Sequence, residues 1–265
     1  MEIKVNNTFF TGKFLLHLPS VDSTNNYAKD FLAKSSPIDG TVILADEQVA
    51  GRGQSGTIWL ADANKNLTFS IIYHTSFLRA TEQFYLNMAV SLGIWSTVNS
   101  QWSAEDKFKL STIDHRPSTK IKWPNDIYVN DKKIAGILIE NTISGMNLKY
   151  SVIGIGLNVN QDNFPKEINA TSFKTLLGKD ADKNIILDTV LASIEKYFLL
   201  LKERKFDRLK KEYIENLFRY NIVSKYKKGE EIFEGSIVDI DEIGNLILET
   251  TTGIQKFRFK EISFL

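Results

Sequence analysis

The spacing of apolar residues between positions 22 and 73 predicts one helix followed by two strands. Asp22 and Ser23 are good N-cap residues, and the apolar residues behind them recur at helical spacing: Tyr27, Ala28, Phe31 and Leu32. The β-branched and apolar run at residues 41–45 predicts a strand. The alternating run at residues 66–73 predicts another, with Leu67, Phe69 and Ile71 on one face.

A long helix is predicted to begin at Thr81 and Glu82. Its apolar stripe is typical of a helix lying on a sheet, and consists of Phe84, Tyr85, Met88, Ala89, Leu92, Trp95 and Val98. Residues 100–118 are polar and irregular, which predicts a mobile surface insertion.

The second half of the chain predicts an antiparallel meander, then two helices, then a small β-domain. Alternation predicts strands at residues 119–123, 127–129, 133–141 and 148–160, with turns at 130–131 and 144–145. Helical spacing returns at residues 185–202 and 206–220. Beyond residue 221, four or five short strands around Gly229, Gly235, Gly244 and Gly253 indicate a β-barrel. We therefore expect an α+β fold: a mixed, largely antiparallel sheet with helices on one face in residues 1–221, and a small barrel in residues 222–265.

Composition narrows the possible functions. The chain has 265 residues, with 33 Lys and Arg against 32 Asp and Glu, so no global field attracts it to nucleic acid or anionic lipid. Cysteine is absent, which excludes disulfides, thiolate metal sites and thiol nucleophiles. The N-terminus lacks a signal-peptide pattern and no apolar run approaches the length of a membrane span, so a cytoplasmic location is expected.

The segment from Gly51 to Trp59, GRGQSGTIW, predicts a loop that surrounds an anion. Glycines let backbone N–H groups approach a ligand closely, and Arg52 adds a permanent charge with a planar donor fork. The segment lacks the Lys-Ser/Thr end of a P-loop and opens no evident helix, so it matches neither common phosphate motif.

Two further motifs carry candidate chemistry. In KWPND, residues 122–126, Lys122 is placed to meet a phosphate or carboxylate, and Asp126 a hydroxyl or Mg²⁺. In KIAGILIE, residues 133–140, a lysine lies beside a hairpin turn. Strand alternation sends Lys132 and Lys133 to opposite faces, and the apolar pattern does not decide which lysine points inward.

These motifs, with Asp22-Ser23-Thr24-Asn25 before them and the segment GIGLN at 154–158 after them, closely resemble biotin protein ligases, the biotin–[acetyl-CoA-carboxylase] ligases. The resemblance runs from about Asp22 to the C-terminus. It implies a class II synthetase-like catalytic domain, an SH3-like C-terminal barrel, and an ATP- and Mg²⁺-dependent enzyme. Such an enzyme forms biotinyl-5′-AMP and transfers biotin to a lysine of a biotin carboxyl carrier protein.

The resemblance also implies a role for each matched position. Lys133 and Arg52 would be the catalytic cations. The biotin site would comprise Ser23, Thr24, Asn25, Gln48, Gly51, Arg52, Lys133 and Gly136. The ATP site would comprise Arg52, Gly53, Gln54, Trp59, Lys122, Asn125, Asp126, Lys133 and Asn158, with Asp126 near Mg²⁺ and Trp59 and Trp123 walling the pocket.

The chain departs from the family pattern at three positions of the glycine loop. Many relatives carry Arg where Gln54, Ser55 and Thr57 stand here, so this loop has fewer cations to hold a reactive adenylate. The segment at residues 106–118 is also not a usual family feature. The short lead before Asp22 leaves no room for the DNA-binding helix-turn-helix of some relatives, so the resemblance implies the monofunctional form, with homodimerisation possible.

Two other functions are considered. A lipoate–protein ligase shares this architecture, although the glycine loop together with KWPND is not expected in one. A non-catalytic nucleic-acid module is suggested by the final β-domain and the basic residues between 202 and 211, but acidic residues alternate with those cations as on a solvated helix face.

Overall fold

A computed structural model describes residues 5–103 and 117–265 of the chain. Its larger sheet has seven strands in the order β1-β2-β3-β7-β6-β5-β4, of which only β1 and β2 pair in parallel. The strands are β1 Leu15–Leu18, β2 Thr41–Ala45, β3 Leu67–His74, β4 Thr119–Lys122, β5 Asp126–Val129, β6 Lys132–Ser144 and β7 Asn147–Leu157. The predicted antiparallel meander is confirmed, with turns that contain Asn130 and Gly145 at positive φ.

The predicted α+β fold with a mixed, largely antiparallel sheet is confirmed, but helices cover both faces of this sheet and not the one face that the sequence predicted. The long helices α2 (Gln83–Ser103), α4 (Lys183–Lys202) and α5 (Phe206–Glu215) form one layer with the main core. Helix α1 (Thr24–Lys34) packs on the opposite face, where Ala28 meets Ile43, Ile72 and Val152. This second layer explains why nearly every residue of β3 is buried, rather than only the predicted face.

Helix α2 is buried on more sides than its predicted stripe suggests. Leu86, Val90 and Ile94 are fully buried as well as Met88 and Leu92, because α4 and α5 also pack against this helix. The helix also continues to Ser103, so the predicted insertion does not begin at residue 100. Residues 104–116 of that predicted insertion lie outside the described residues.

The remaining boundary differences are short. Helix α5 ends at Glu215, five residues before the predicted end, and is followed by a turn at Asn216. A short helix α3, Phe173–Leu177, was not predicted; Ser172 caps it and Gly178 ends it in the left-handed conformation.

The C-terminal region forms a separate five-stranded antiparallel sheet in the order β11-β10-β9-β8-β12. Its strands are β8 Ser224–Lys228, β9 Glu231–Ile240, β10 Leu246–Thr250, β11 Gly253–Phe257 and β12 Ser263–Phe264. The predicted small terminal β-domain is confirmed, but its described strands form an open sheet and not the predicted closed barrel. Strands β11 and β12 are the two edges, and Gly235 lies inside β9 rather than at a turn.

Within the described ranges, no helix has the length and apolarity to cross a lipid bilayer.

Candidate functional site

A cavity of about 760 Å³ opens on the α1 face of the larger sheet. Its floor is formed where aligned positions of neighbouring strands carry little or no side chain. Gly156 pairs with Gly136, which pairs with Asp126, and in the next row of this face Ser70 pairs with Gly154. At these positions the side chains of Trp59 and Asn25 lie directly over the sheet backbone, above Gly156 and Gly154 respectively.

The N-terminus of α1 and Gln48 make a polar wall. Ser23 occupies the N-cap position without forming a side-chain cap bond, and both the backbone N–H and the hydroxyl of Thr24 lie within 3.0 Å of Gln48 Oε1. The hydroxyl of Ser70 lies 2.7 Å from both Thr24 Oγ1 and Asn25 Oδ1. The wall is thus a connected hydrogen-bond network, and each member fixes its neighbour's orientation.

The glycine loop folds back on itself. The N–H of Trp59 donates to Gly51 O at 2.9 Å, and the N–H of Gly53 donates to Thr57 O at 2.7 Å. A Cβ atom on Gly51 would lie 2.5 Å from Trp59 O, so this pairing requires glycine at that position. The tip of the loop is a single 3-10 turn, Gln54–Gly56.

This closed loop lays the indole of Trp59 on the cavity floor. A Cβ atom on Gly156 would lie 2.2 Å from the indole, and one on Gly136 would lie 3.2 Å from it. Trp59 Nε1 and Gln54 Oε1 are buried without a hydrogen-bond partner among the described residues. Unpaired buried polar atoms are costly, so these two atoms are suited to form hydrogen bonds with a ligand.

Lys133 rather than Lys132 lies in the cavity, and a β-bulge is the reason. Tyr128 pairs with Lys133 and Ile127 pairs with Ala135, so Ile134 is an extra residue in β6. The bulge breaks the period of two and brings Lys133 to the side of Gly136, whose Cβ would lie 3.0 Å from Lys133 Nζ. Alternation therefore could not choose between the two lysines.

The Lys133 ammonium has an acidic partner across the strand pair. Its Nζ lies 2.7 Å from Asp126 Oδ1 and 5.7 Å from the centre of a Trp59 ring. The side-chain amide of Asn125, beside Asp126, donates to the backbone carbonyl of Ile137. Across the ranges 5–103 and 117–265, no group of three or more His, Asp or Glu side chains is arranged to hold a metal ion.

Arg52 has an acidic partner as well. Its Nη2 lies 3.2 Å from Glu140 Oε1, and its Nη1 donates to Asn26 Oδ1 at 2.7 Å. Glu140 also accepts from Lys29 Nζ and from Asn25 Nδ2, each at 2.9 Å. Burial opposes ionisation of Glu140, but these hydrogen bonds and the charges of Lys29 and Arg52 outweigh it and hold its pKa below the ordinary value.

The C-terminal sheet closes one end of the cavity. Lys122 Nζ lies 4.9 Å from the ring centre of Tyr128 and 5.3 Å from that of Phe264. Burial is the largest effect on Lys122 and lowers its pKa, although the charge of Asp126 opposes this. Trp123 Nε1 donates to Gly244 O at 3.0 Å, which ties the KWPND turn to the same sheet.

The structure brings most of the predicted site residues to this one cavity. Those that line it are Ser23, Thr24, Asn25, Gln48, Arg52, Gly53, Gln54, Trp59, Lys122, Trp123, Asn125, Asp126, Lys133 and Gly136. Gly51 is buried behind the loop and does not line the cavity. Asn158 does not line it either, because its side chain donates to Thr171 O at 3.0 Å, in the segment just before α3.

The sequence did not identify several residues that complete the site. Ser70 is fully buried in a strand and gave no signal beyond a polar residue in an apolar run. Glu140 and Gly156 lay inside recognised motifs but were given no role. Phe259 and Phe264 reach the cavity only because the two sheets pack together.

Comparisons with known proteins agree with this arrangement. Residues 17–158 match the model of the biotin/lipoate A/B protein ligase family, and residues 225–265 match the biotin protein ligase C-terminal domain. The bifunctional ligase/repressor BirA of Bacillus spizizenii is 30% identical over 95% of this chain and 74% of its own length. The biotin–[acetyl-CoA-carboxylase] ligase of Paracoccus denitrificans is 27% identical over 93% of this chain and 99% of its own length.

Solved structures show the same similarity. The biotin protein ligase from Aquifex aeolicus in complex with biotin and ATP is 29% identical, with a TM-score of 0.73 over 96% of this chain and 99% of that chain. A biotin acetyl coenzyme A carboxylase synthetase from Helicobacter pylori has a TM-score of 0.55 at 21% identity, a likeness of fold alone. The matched residues 17–158 make up more than half of this chain. The chain therefore belongs to the biotin/lipoate A/B protein ligase family.

Proposed function

We propose that this protein is an ATP-dependent biotin–protein ligase, which activates biotin as biotinyl-5′-AMP and transfers it to a carrier-protein lysine. The observation that carries the proposal is the convergence of Arg52 and Lys133 on one cavity whose other end is a hydrogen-bonding wall. The Aquifex relative was solved with biotin and ATP, and the cavity here has the two kinds of surface that such a pair needs.

The polar wall suits the ureido ring of biotin. Ser23, Thr24 and Gln48 combine hydroxyl and amide groups that can both donate and accept hydrogen bonds, as a ureido group requires. The indole of Trp59, which lies over Gly156, offers the fused rings an apolar surface beside this wall. The valeryl tail then runs toward Lys133 and Arg52.

The first half-reaction joins two anions, because the biotin carboxylate attacks the α-phosphate of ATP and pyrophosphate leaves. Arg52 and Lys133 offset that repulsion and orient the carboxylate, and Lys133 does so from a half-buried position where charges interact more strongly than in water. Trp59 limits the access of water to the mixed anhydride once the loop has closed over it.

In the second half-reaction the neutral amine of a carrier lysine attacks the acyl carbon and AMP leaves. This chemistry needs no covalent enzyme intermediate, in keeping with a chain that contains no cysteine. The partner implied is the biotin carboxyl carrier protein of a biotin-dependent carboxylase.

Mg²⁺ is part of the proposal through Asp126. Mg²⁺ is commonly held by one or two carboxylates together with substrate phosphates, and Asp126 is a single cavity carboxylate next to the predicted nucleotide site. When bound, the ion would neutralise phosphate charge. Asp126 would have to exchange its contact with Lys133, 2.7 Å away, to reach it.

The experiment is a direct comparison of biotin and lipoate. The purified protein is titrated calorimetrically with each acid, with ATP present or absent, and then incubated with a biotin carboxyl carrier domain or a lipoyl domain. We expect biotin binding, pyrophosphate release and a mass increase on the carrier lysine of the biotin domain alone. Transfer of lipoate in place of biotin would assign the protein to the other branch of the family, and binding of neither acid would refute the proposal.

A further inference from the structure

Glu140 connects three elements around the cavity mouth. It lies on β6, seven residues after Lys133, and its carboxylate meets Lys29 and Asn25 of α1 as well as Arg52 of the glycine loop. It is not itself a cavity-lining residue. Glu140 therefore contacts the cavity-lining residues Asn25 and Arg52 without reaching the cavity, so it can act on a ligand only through them.

The contacts of Arg52 leave donors for a ligand. A guanidinium has five N–H donors. Nη1 contacts Asn26 and Glu140, and Nη2 contacts Glu140, which uses three of them. Among the described residues the other two have no hydrogen-bond partner. Arg52 can therefore stay against Glu140 while its free edge meets an anion in the cavity.

The other side of Glu140 leads to the polar wall. Asn25 donates to Glu140 through Nδ2, and its Oδ1 lies 2.7 Å from Ser70 Oγ, which is equally close to Thr24 Oγ1. Thr24 in turn contacts Gln48. One chain of hydrogen bonds therefore runs from Arg52 through Glu140 to Gln48, and links the loop cation to the wall.

We infer that Glu140 is a positioning residue that fixes the Arg52 loop against α1 and so prepares both ends of the ligand site. The identity of the ligand in this role rests on the proposed function. The docking of the Arg52 loop against α1 is independent of it. The opposite possibility is that Glu140 competes with the anionic ligand for Arg52, and then its removal would tighten binding.

The first measurement uses no ligand. An arginine-specific protease can cut after Arg52 when the loop leaves the wall. We expect Glu140→Ala to speed that cut about tenfold, since a charged hydrogen-bonded contact of this kind is lost, while Glu140→Gln gives a smaller increase because it keeps an acceptor for Asn25. Lys29→Met is the matched control, because it removes another partner of the same carboxylate without touching Arg52, and should leave the cut unchanged. An unchanged cut in Glu140→Ala, with an unchanged melting temperature, would overturn the inference.

The second measurement is biotin affinity by calorimetry. We expect Glu140→Ala to raise the dissociation constant about tenfold, and to have no further effect when Arg52 is already alanine, since it acts through that residue. An equal loss in both backgrounds, or tighter binding, would refute the positioning role. Failure of the unsubstituted protein to bind biotin would instead count against the proposed function, and the protease result would then decide on Glu140 alone.

Discussion

At the scale of single residues, charge pairing governs the cavity. Both predicted catalytic cations have a carboxylate partner, Asp126 for Lys133 and Glu140 for Arg52. Lys133 and Asp126 are half-buried, so water screens their attraction less than it screens a surface pair, whereas the more exposed Arg52 is held by contacts with both Glu140 and Asn26. The cations are therefore preorganised, and an anionic substrate meets them in fixed positions.

Replacing Lys133 with alanine should lower the rate of biotinyl-adenylate formation by about a hundredfold or more, the usual effect of losing one preorganised group that stabilises transition-state charge. Pyrophosphate release measures it. Lys132→Ala is the matched control, because that neighbouring side chain is exposed and lines no part of the cavity. Equal rates of pyrophosphate release in the unsubstituted protein and in Lys133→Ala would remove Lys133 from the mechanism.

At the scale of elements, strands β6 and β7 act as a platform for the loop. Their glycines are aligned across the pair, Gly136 opposite Gly156, so the indole of Trp59 can lie directly on the backbone. The β6–β7 hairpin is stable without these side chains, because Ile137, Ile153 and Ile155 pack into the main core and Val152 packs on the opposite face. The platform is therefore rigid where the ligand lies.

Gly156→Ala should displace Trp59 and leave the sheet intact. The added methyl would lie 2.2 Å from the indole, a distance that no packed pair of atoms adopts. We expect a changed tryptophan emission and an adenylation rate reduced by about a hundredfold, as for other small misplacements in a reacting site. Gly145→Asn, in the turn of the same hairpin, is the control, since nothing lies near its Cβ and Asn tolerates its positive φ. Unchanged tryptophan emission and an unchanged adenylation rate in Gly156→Ala would show that the indole of Trp59 does not lie over Gly156.

At the scale of the whole molecule, long-range contacts hold the ends of the chain. Phe259 and Phe264 bring the C-terminal sheet to the cavity. At the other end, the buried carboxylate of Glu195 in α4 accepts hydrogen bonds from the backbone N–H groups of Phe9, Phe10 and Thr11. Burial opposes ionisation of Glu195, but these three bonds outweigh it and keep its pKa below the ordinary value.

Glu195→Gln should lower the free energy of unfolding by about 1–3 kcal/mol at neutral pH, because a charged acceptor is lost. A lowered pKa means that the carboxylate stabilises the fold above its ordinary pKa, and that this contribution disappears as pH falls through the lowered value. The difference in the free energy of unfolding between the unsubstituted protein and Glu195→Gln, measured with urea, should therefore become smaller as the pH is lowered. Glu203→Gln, on an exposed side chain at the end of α4, should differ little at any pH. A difference that stays constant with pH would contradict this role for Glu195.

Local patterns in the sequence determined most of the elements. The N-cap at Ser23, the turns at Asn130 and Gly145, and the apolar stripes of α2 and α4 depend on neighbours within a few residues, so they can be read without the fold. The motifs likewise identified residues such as Arg52 and Asp126, whose chemistry is intrinsic to the side chain. Their roles toward biotin and ATP stay predictions.

Only the tertiary structure decided where those residues meet. The bulge at Ile134 selects Lys133, and it arises from the register of β5 against β6, which no local period encodes. Helix α1 on the second face, Ser70 and Glu140 in the wall, and Phe264 at the cavity's end depend on elements distant in sequence packing together. The sequence by itself thus determined the elements and the chemical groups, while side-chain convergence depended on register and packing, because these are set by contacts between segments far apart in the chain.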